Sequence, residues 1–459
     1  MKWTIFLFCF FIIGETIEAQ ENAGKNLWLG TKTTYAPLQE NYTPAPANFK
    51  PIFINYVGRH GARHQTKAGP DIAVLNILMV AQKHQSLTAK GFELMTKTKT
   101  LADIEKSNYG NISLSGADEQ TGIGTRMHDN YKTVFKGNGI DITTTEEIRT
   151  QQSCKAFLKG FADYDVNKIS IKTPADADNN ALRFYDISPN YLQYKEHGNW
   201  QAQITILEKY HHVETLCQSI AVPFFTTLFL DSLQKNEIKI TDKKGNAAIY
   251  NSANFSNDLN ALYSISYSVK KEAEQKGLSF SAIDFSPYFT EQQLNVLDDL
   301  NGADDYLKKG PALCNNCLQV TNAVPLLVDF INTTDNFIKT KNKDAVMRFA
   351  HAETISPFAA LLEIKDASQS VTDIKNYRQV WDASKIIPLS ANIQMILYET
   401  PNGYFIKLLL NEKEVQLPLT AVNNCFYSWE KVKAFYLAKL KKMHVELNDN
   451  MHNYLINLK

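Results

Sequence analysis

Residues 51–67 read PIFINYVGRHGARHQTK. Residues 51–57 form a short run rich in Ile, Phe, Tyr and Val, which suits a buried strand, and Gly58 and Gly61 end it abruptly. The apolar stretch 72–81 then predicts a helix opening near Pro70. Between strand and helix, Arg59, His60, Arg63, His64 and Lys67 crowd into one turn. Cations so close repel, and they become tolerable where a dianion sits among them, because guanidinium groups fork onto phosphate oxygens in pairs. Taken alone, the turn reads more simply as a solvated basic loop.

The strand-then-helix unit recurs. Residues 140–148 (IDITTTEEI) read as a second strand and 150–161 as its helix, with Cys154, Phe157, Leu158 and Phe161 at the spacing of one amphipathic face. Residues 345–350 (AVMRFA) and 355–364 form a third unit. Strands alternating with helices predict an α/β fold with a largely parallel sheet flanked by helices, and such sheets bind ligands beyond the carboxyl ends of their strands. Arg149 ends the second strand in this reading, and His351-Ala352-Glu353 follows the third. Each has a plain explanation by itself: an Arg paired with a surface carboxylate, and a structural His beside a Glu favoured in a first helical turn. Jointly they supply a nucleophile, an acid and a cationic cradle at one edge of the sheet. Phosphoryl transfer needs those roles. The set requires no metal, and no carboxylate cluster stands out to hold one.

Outward from these units, residues 1–19 carry an apolar run (WTIFLFCFFIIG) interrupted by Glu15 and Glu18. That reads as a secretory leader, too short for a membrane anchor of about 20 apolar residues, and predicts a periplasmic or secreted protein. Residues 20–165 are expected to hold the first part of an α/β core, with 20–50 wrapping the surface; 166–335 an inserted, mostly helical domain with long helical stretches at 191–233 and 257–277; and 336–459 the rest of the core, including a hairpin at 393–398 and 404–410 and a helix near 427–442. Removing the leader leaves 47 basic against 46 acidic residues, so no bulk attraction to nucleic acid or membrane is expected. Cysteines 154, 217, 314, 317 and 425 remain, an odd number. The close pair Cys314 and Cys317 reads as a local disulfide or as structural cysteines ahead of a metal or redox site.

The sequence resembles the histidine acid phosphatases, and within them the multiple inositol polyphosphate phosphatases, over nearly the whole chain after the leader. The family carries RHGxRxPT after its first strand, here RHGARHQT at 59–66, and the second motif takes the HAE form of the inositol polyphosphate branch at 351–353. LGTKT at 29–33, LSGADEQTGIGTRMHDNY at 114–131, Arg149 followed by Ser153, Phe157 and Gly160, and PLSAN at 388–392 support it. The resemblance implies a histidine-phosphatase-like core and hydrolysis of inositol polyphosphates such as phytate, with no cofactor. It implies that His60 attacks phosphorus and becomes a phosphohistidine, that Arg59, Arg63, Arg149 and His351 hold the phosphate, and that Glu353 protonates the leaving oxygen. Lys67, seven positions after His60, falls where some bacterial phytases have a substrate-binding Lys, or is a solvated side chain. Gln65 departs from the family's Pro and is expected to alter loop geometry or specificity. Competing readings are a broader sugar-phosphate or bisphosphoglycerate phosphatase and an inactive inositol-polyphosphate-binding protein; intact His60 and Glu353 argue against the latter.

Overall fold

A computed structural model describes residues 27–459 apart from 236, 239, 242–246, 250 and 315–316. The leader expected over 1–19 lies outside the described residues.

The run that opens the argument forms β1 (Lys50–Arg59), buried from Phe53 onward. Side chains alternate across a strand, and here both faces are covered: Phe53 and Val57 enter one apolar core, Ile54 and Tyr56 another. A strand buried on both sides needs a continuous apolar run. Around β1 the chain adds β2 (Ile140–Thr144), β3 (Ile169–Lys172), β4 (Ala345–Ala350), β5 (Asn392–Thr400), β6 (Gly403–Leu410), β7 (Lys413–Glu414) and β8 (Tyr427–Ser428). The sheet order is β8-β6-β5-β1-β4-β2-β3, with β7 on β6. β1, β4, β2 and β3 run parallel, whereas β5 and β6 are an antiparallel hairpin laid against β1.

The principal helices are α1 (Pro70–Lys83), α2 (Ala89–Glu105), α3 (Leu114–Asn130), α4 (Ile148–Leu158), α5 (Ser252–Ser268), α6 (Glu291–Lys309), α7 (Val324–Thr340), α8 (Ala352–Leu361) and α9 (Trp429–Lys442). α3 and α4 cover one face of the sheet through Ile123, Met127 and Phe157. α7, α8 and α9 cover the other through residues such as Phe330, Phe358 and Tyr436. α1, α2 and α5 share a separate core built on Ile77, Leu94, Phe255 and Leu259.

Several expectations are corrected in detail. The second strand stops at Thr144 rather than Ile148, because Glu147 serves as the N-cap residue of α4 and the Thr150 hydroxyl donates to its carbonyl at 2.8 Å. Arg149 therefore sits in the first turn of a helix, not at a strand end. α8 likewise starts at Ala352, directly after His351, so Glu353 lies in its first turn. The long helix expected over 191–233 breaks into Pro189–His197, Trp200–Tyr210, Val213–Ala221 and Thr227–Gln234. Gly198 and the left-handed His212 stand at two of the breaks. The interval 166–335 also contributes β3 to the edge of the sheet. The segment 20–50 does not stay wholly on the surface: Leu29 is buried, and the turn Gly30–Lys32 reaches the cleft described next.

Cys314 and Cys317 are joined as a disulfide, with Cα atoms 5.9 Å apart. Cys154, Cys217 and Cys425 are buried free thiols.

Candidate active site

Strand register brings the site together. Arg59 lies opposite Ala350 in the β1–β4 pair, and Thr144 opposite Phe349 in the β2–β4 pair. Three parallel strands thus end level, and the residues that follow them, His60, His351 and Thr145, meet at one edge. The His60 amide donates to the Ala350 carbonyl at 3.0 Å.

The turn after β1 is held from two helices. Gly61 N–H donates to Ser153 Oγ at 3.0 Å, and that hydroxyl donates to the Arg149 carbonyl at 2.6 Å. The Ala62 amide donates to Glu119 Oε2 on α3 at 2.9 Å, and the same carboxylate accepts from Ser390 Oγ and from the Tyr35 amide. Gln120 donates to the Arg59 carbonyl at 2.9 Å. The first turn of α3 can come this close only because two glycines face each other. A Cβ on Gly61 would lie 2.5 Å from the Gly116 carbonyl oxygen, and one on Gly116 only 2.0 Å from that of Ala62.

His60 is 4 % exposed, and its Nδ1 lies 2.9 Å from the Gly61 carbonyl. A carbonyl can only accept, so the contact puts the ring proton on Nδ1 and leaves the lone pair on Nε2. Burial first, then the charges of Arg59, Arg63, His351 and Arg149, push its pKa well below the usual histidine range. The imidazole is neutral. The His351 ring lies 5.6 Å from it, edge-on. His351 Nε2 is 3.0 Å from Thr145 Oγ1, and Arg149 Nη2 is 3.5 Å from His351 Nδ1.

The cations differ in how fully the protein occupies them. Arg59 commits one nitrogen to the carbonyls of Thr31, Ile387 and Pro388, at 2.7, 2.6 and 3.0 Å. Arg63 donates to the His64 carbonyl at 2.7 Å, and burial with the charges of Arg149 and Arg59 brings its pKa down to about 10. Arg149 pairs with Glu147 at 2.6 Å. Among the described residues, the Nε donors of Arg59, Arg63 and Arg149 find no acceptor. Buried donors without acceptors are costly, and an anion bound among these arginines would supply acceptors. Lys67 is exposed at the rim of an adjoining cleft of roughly 480 Å³, which Lys32, Arg63 and Gln65 also line.

Two residues of the basic turn face elsewhere. His64 is buried against Glu105 at 3.1 Å and Glu272 at 3.5 Å. Burial opposes its charge, but those two carboxylates outweigh it and raise the pKa to about 9. Gln65 is buried; its amide N–H donates to Glu105 Oε2 at 2.7 Å, while its side-chain amide has no partner among the described residues.

Glu353 is 28 % exposed and lies 3.3 Å from Lys309. Burial acts to raise its pKa, yet Lys309, His351, its own backbone N–H and Arg59 hold it well below the usual carboxylate range. At neutral pH Glu353 is therefore ionised.

Sequence reasoning missed three cations. Lys32 stands in a quoted motif without an assigned role; the charge of Arg63, then burial and Arg59, depress its pKa strongly. Arg183, held by Asp176 and Asp186, comes within 3.3 Å of His351 Nε2. Lys309 lies 3.3 Å from Glu353. Arg183 and Lys309 come from the segment between the sheet strands, where no local motif marks them. Among the described residues, no three His, Cys, Asp or Glu side chains gather in a way suited to a metal ion.

A buried neutral histidine set among guanidinium groups at the edge of a sheet is chemistry suited to a phosphate dianion. The sequence profile of the histidine phosphatase superfamily (branch 2) matches residues 52–411, and the chain belongs to that superfamily. It is a phosphatase. Among solved structures, the Bifidobacterium longum multiple inositol polyphosphate phosphatase in complex with inositol hexasulfate is 22 % identical, with a TM-score of 0.77 over 89 % of this chain and 97 % of that one. The same protein in complex with phosphate gives 21 % and 0.79, over 90 % and 98 % of the two chains. The phytase from D. castellii gives 17 % and 0.62, over 90 % and 84 %. At these identities the likeness concerns the fold. No curated protein matches the sequence.

Proposed function

We propose that the protein hydrolyses phosphate monoesters of inositol polyphosphates, phytate among them, through a phosphohistidine on His60. The observation that carries this reading is the neutral, buried His60 with its Nε2 lone pair free, set among Arg59, Arg63, Arg149 and His351. In the first step Nε2 attacks phosphorus, the P–N bond forms as the bond to the ester oxygen breaks, and Glu353 gives its proton to the departing alkoxide. In the second, water attacks the phosphohistidine, Glu353 takes the water's proton, and phosphate leaves with His60 neutral again. The arginines need do no covalent chemistry. Their task is to position the phosphoryl group and match charge on its equatorial oxygens.

The ionised state that the protein's own charges give Glu353 fits this sequence once substrate charge is counted. A phosphate dianion among Arg59 and Arg63 offsets part of the field that depresses the carboxyl, so proton affinity rises on binding. The likeness to an inositol polyphosphate phosphatase bound to inositol hexasulfate supports the substrate class, as does the adjoining cleft, which shares Arg63 with the site and is lined beyond it by Lys32 and Lys67. The test is phosphate release from inositol hexakisphosphate with a chelator present, comparing the intact protein with His60→Ala and Glu353→Gln. Release by the intact chain, abolished in His60→Ala and strongly reduced in Glu353→Gln, is expected. An intact chain that releases nothing, from this substrate or from simple phosphate esters, overturns the proposal.

A further inference from the structure

We propose that Lys309 is a positioning residue that sets the pH range over which Glu353 gives and takes its proton. The inference rests on the reading of Glu353 as the proton donor.

Lys309 ends α6. Its Nζ stands between Asp305 Oδ1, at 2.5 Å and one helical turn back, and Glu353 Oε1, at 3.3 Å on α8. The side chain is only 17 % exposed. Glu353 is faced by Lys309 from α6, Arg59 from β1, Arg63 from the turn after it, and His351 at the start of its own helix. Tyr185, Asp186 and Tyr191 from the segment 184–191 face it as well.

These neighbours behave differently during turnover. Arg59 and Arg63 are neutralised by whatever phosphate they hold, so their pull on Glu353 falls when substrate or phosphohistidine is present. Lys309 is committed to two carboxylates. Its pair with Asp305, one turn back on the same helix, anchors it without any part played by the phosphate. It is therefore the cation whose effect on Glu353 persists through both proton transfers, and burial of the pair limits screening by salt.

A cation this close favours the carboxylate by about 1–3 pH units. Removing it lets Glu353 keep its proton to higher pH. The first step, which needs the acid, then persists further into the alkaline range, while the second, which needs the carboxylate, fails sooner on the acid side. Both limits of the pH–rate curve should move upward together.

The experiment measures pH–rate profiles for phosphate release from inositol hexakisphosphate by the intact protein, Lys309→Met, Lys309→Arg and Glu353→Gln. Lys309→Met is expected to shift both limits up by about one unit or more, and Lys309→Arg to restore them. Asp305 loses its partner in Lys309→Met, so the double variant Asp305→Asn/Lys309→Met, which removes that stranded carboxylate, is run beside it and should show the same shift. Lower activity or a raised KM with unmoved limits in the folded variants would overturn the inference and leave Lys309 as a phosphate contact or a structural residue. Undiminished activity of Glu353→Gln is a separate result, which overturns the role of Glu353 itself.

Discussion

Gly116→Ala adds one methyl group, on a helix whose glycine never meets a ligand in the scheme above. Its Cβ would fall 2.0 Å from the Ala62 carbonyl oxygen, 2.6 Å from its nitrogen and 2.8 Å from its carbonyl carbon. Since close C···O contacts settle at about 3.3 Å or more, α3 and the turn must part by about 1.3 Å. Every contacted atom is backbone, so no side chain can swing away. The displaced residue lies between His60 and Arg63 and is pinned to Glu119 through its amide. Part of the shift therefore reaches the phosphate cradle. Overpacking of this kind costs about 1–3 kcal/mol of stability, and a misplacement of about 1 Å at reacting groups costs about 100-fold in rate. Gly122→Ala on the same helix is the control. Its new methyl would meet only the end of the Arg126 side chain, at 2.9 Å, well away from the His60 turn; any strain there falls on the pair that Arg126 makes with Glu412, and Ala favours a helix over Gly by roughly 0.5–1 kcal/mol. Melting temperature and kcat/KM for inositol hexakisphosphate distinguish the two. Gly116→Ala should lose both, whereas Gly122→Ala should keep its kcat/KM. A Gly116→Ala protein with the intact chain's kcat/KM would refute the claim that this glycine contact sets the geometry of the His60 turn.

Ser153→Ala strands the buried Gly61 N–H and cuts the link to the Arg149 carbonyl; a loss of about 1–3 kcal/mol in urea unfolding, with a lower kcat, is expected. Gln65→Pro restores the family residue but removes the N–H that donates to the buried Glu105. Despite matching the motif, it should destabilise by about 1.5–3 kcal/mol, since that hydrogen bond is to a charged group, and a melting temperature at or above that of the intact protein would count against this account. His64 has its folded pKa raised from 6.5 to about 9, so its contribution is complete below the unfolded value and disappears as pH climbs through the folded one. About 3 kcal/mol of stability should be lost between about pH 6.5 and about pH 9. Denaturant titrations of the intact protein and His64→Gln across that range would read it, and parallel pH dependence in both would sink it.

Much of the fold was legible because its signals are local. The double-sided burial of β1 demands the apolar run at 51–57, interrupted only by Asn55, the strand at 345–350 was readable to the residue, and the strand-helix alternation points to a sheet whose parallel strands end on one side. Arg59 closes β1, His60 and Arg63 come within four residues of its end, and His351 and Glu353 within three of the end of β4, so the strand pattern carries them to one edge with the chain. Arg149 was found for a partly mistaken reason: its strand ends five residues earlier, and a helical first turn with a long side chain delivers it instead.

What tertiary structure alone decided was the company these residues keep. Lys32 stands in the LGTKT motif with nothing local to give it a role, and Arg183 and Lys309 lie far from the motifs in the chain, on elements whose own sequence gives no periodic or turn signal for the site. Nothing local tells that His64 turns toward Glu105 and Glu272 while His60, four residues earlier, stays neutral. Protonation follows from burial and from charges within a few ångströms, and those distances exist only after α3, α6 and α8 have packed. The sequence by itself determined which chemical groups stand at the ends of the strands; the packing determined their charge, because an electrostatic field is summed over neighbours in space rather than along the chain.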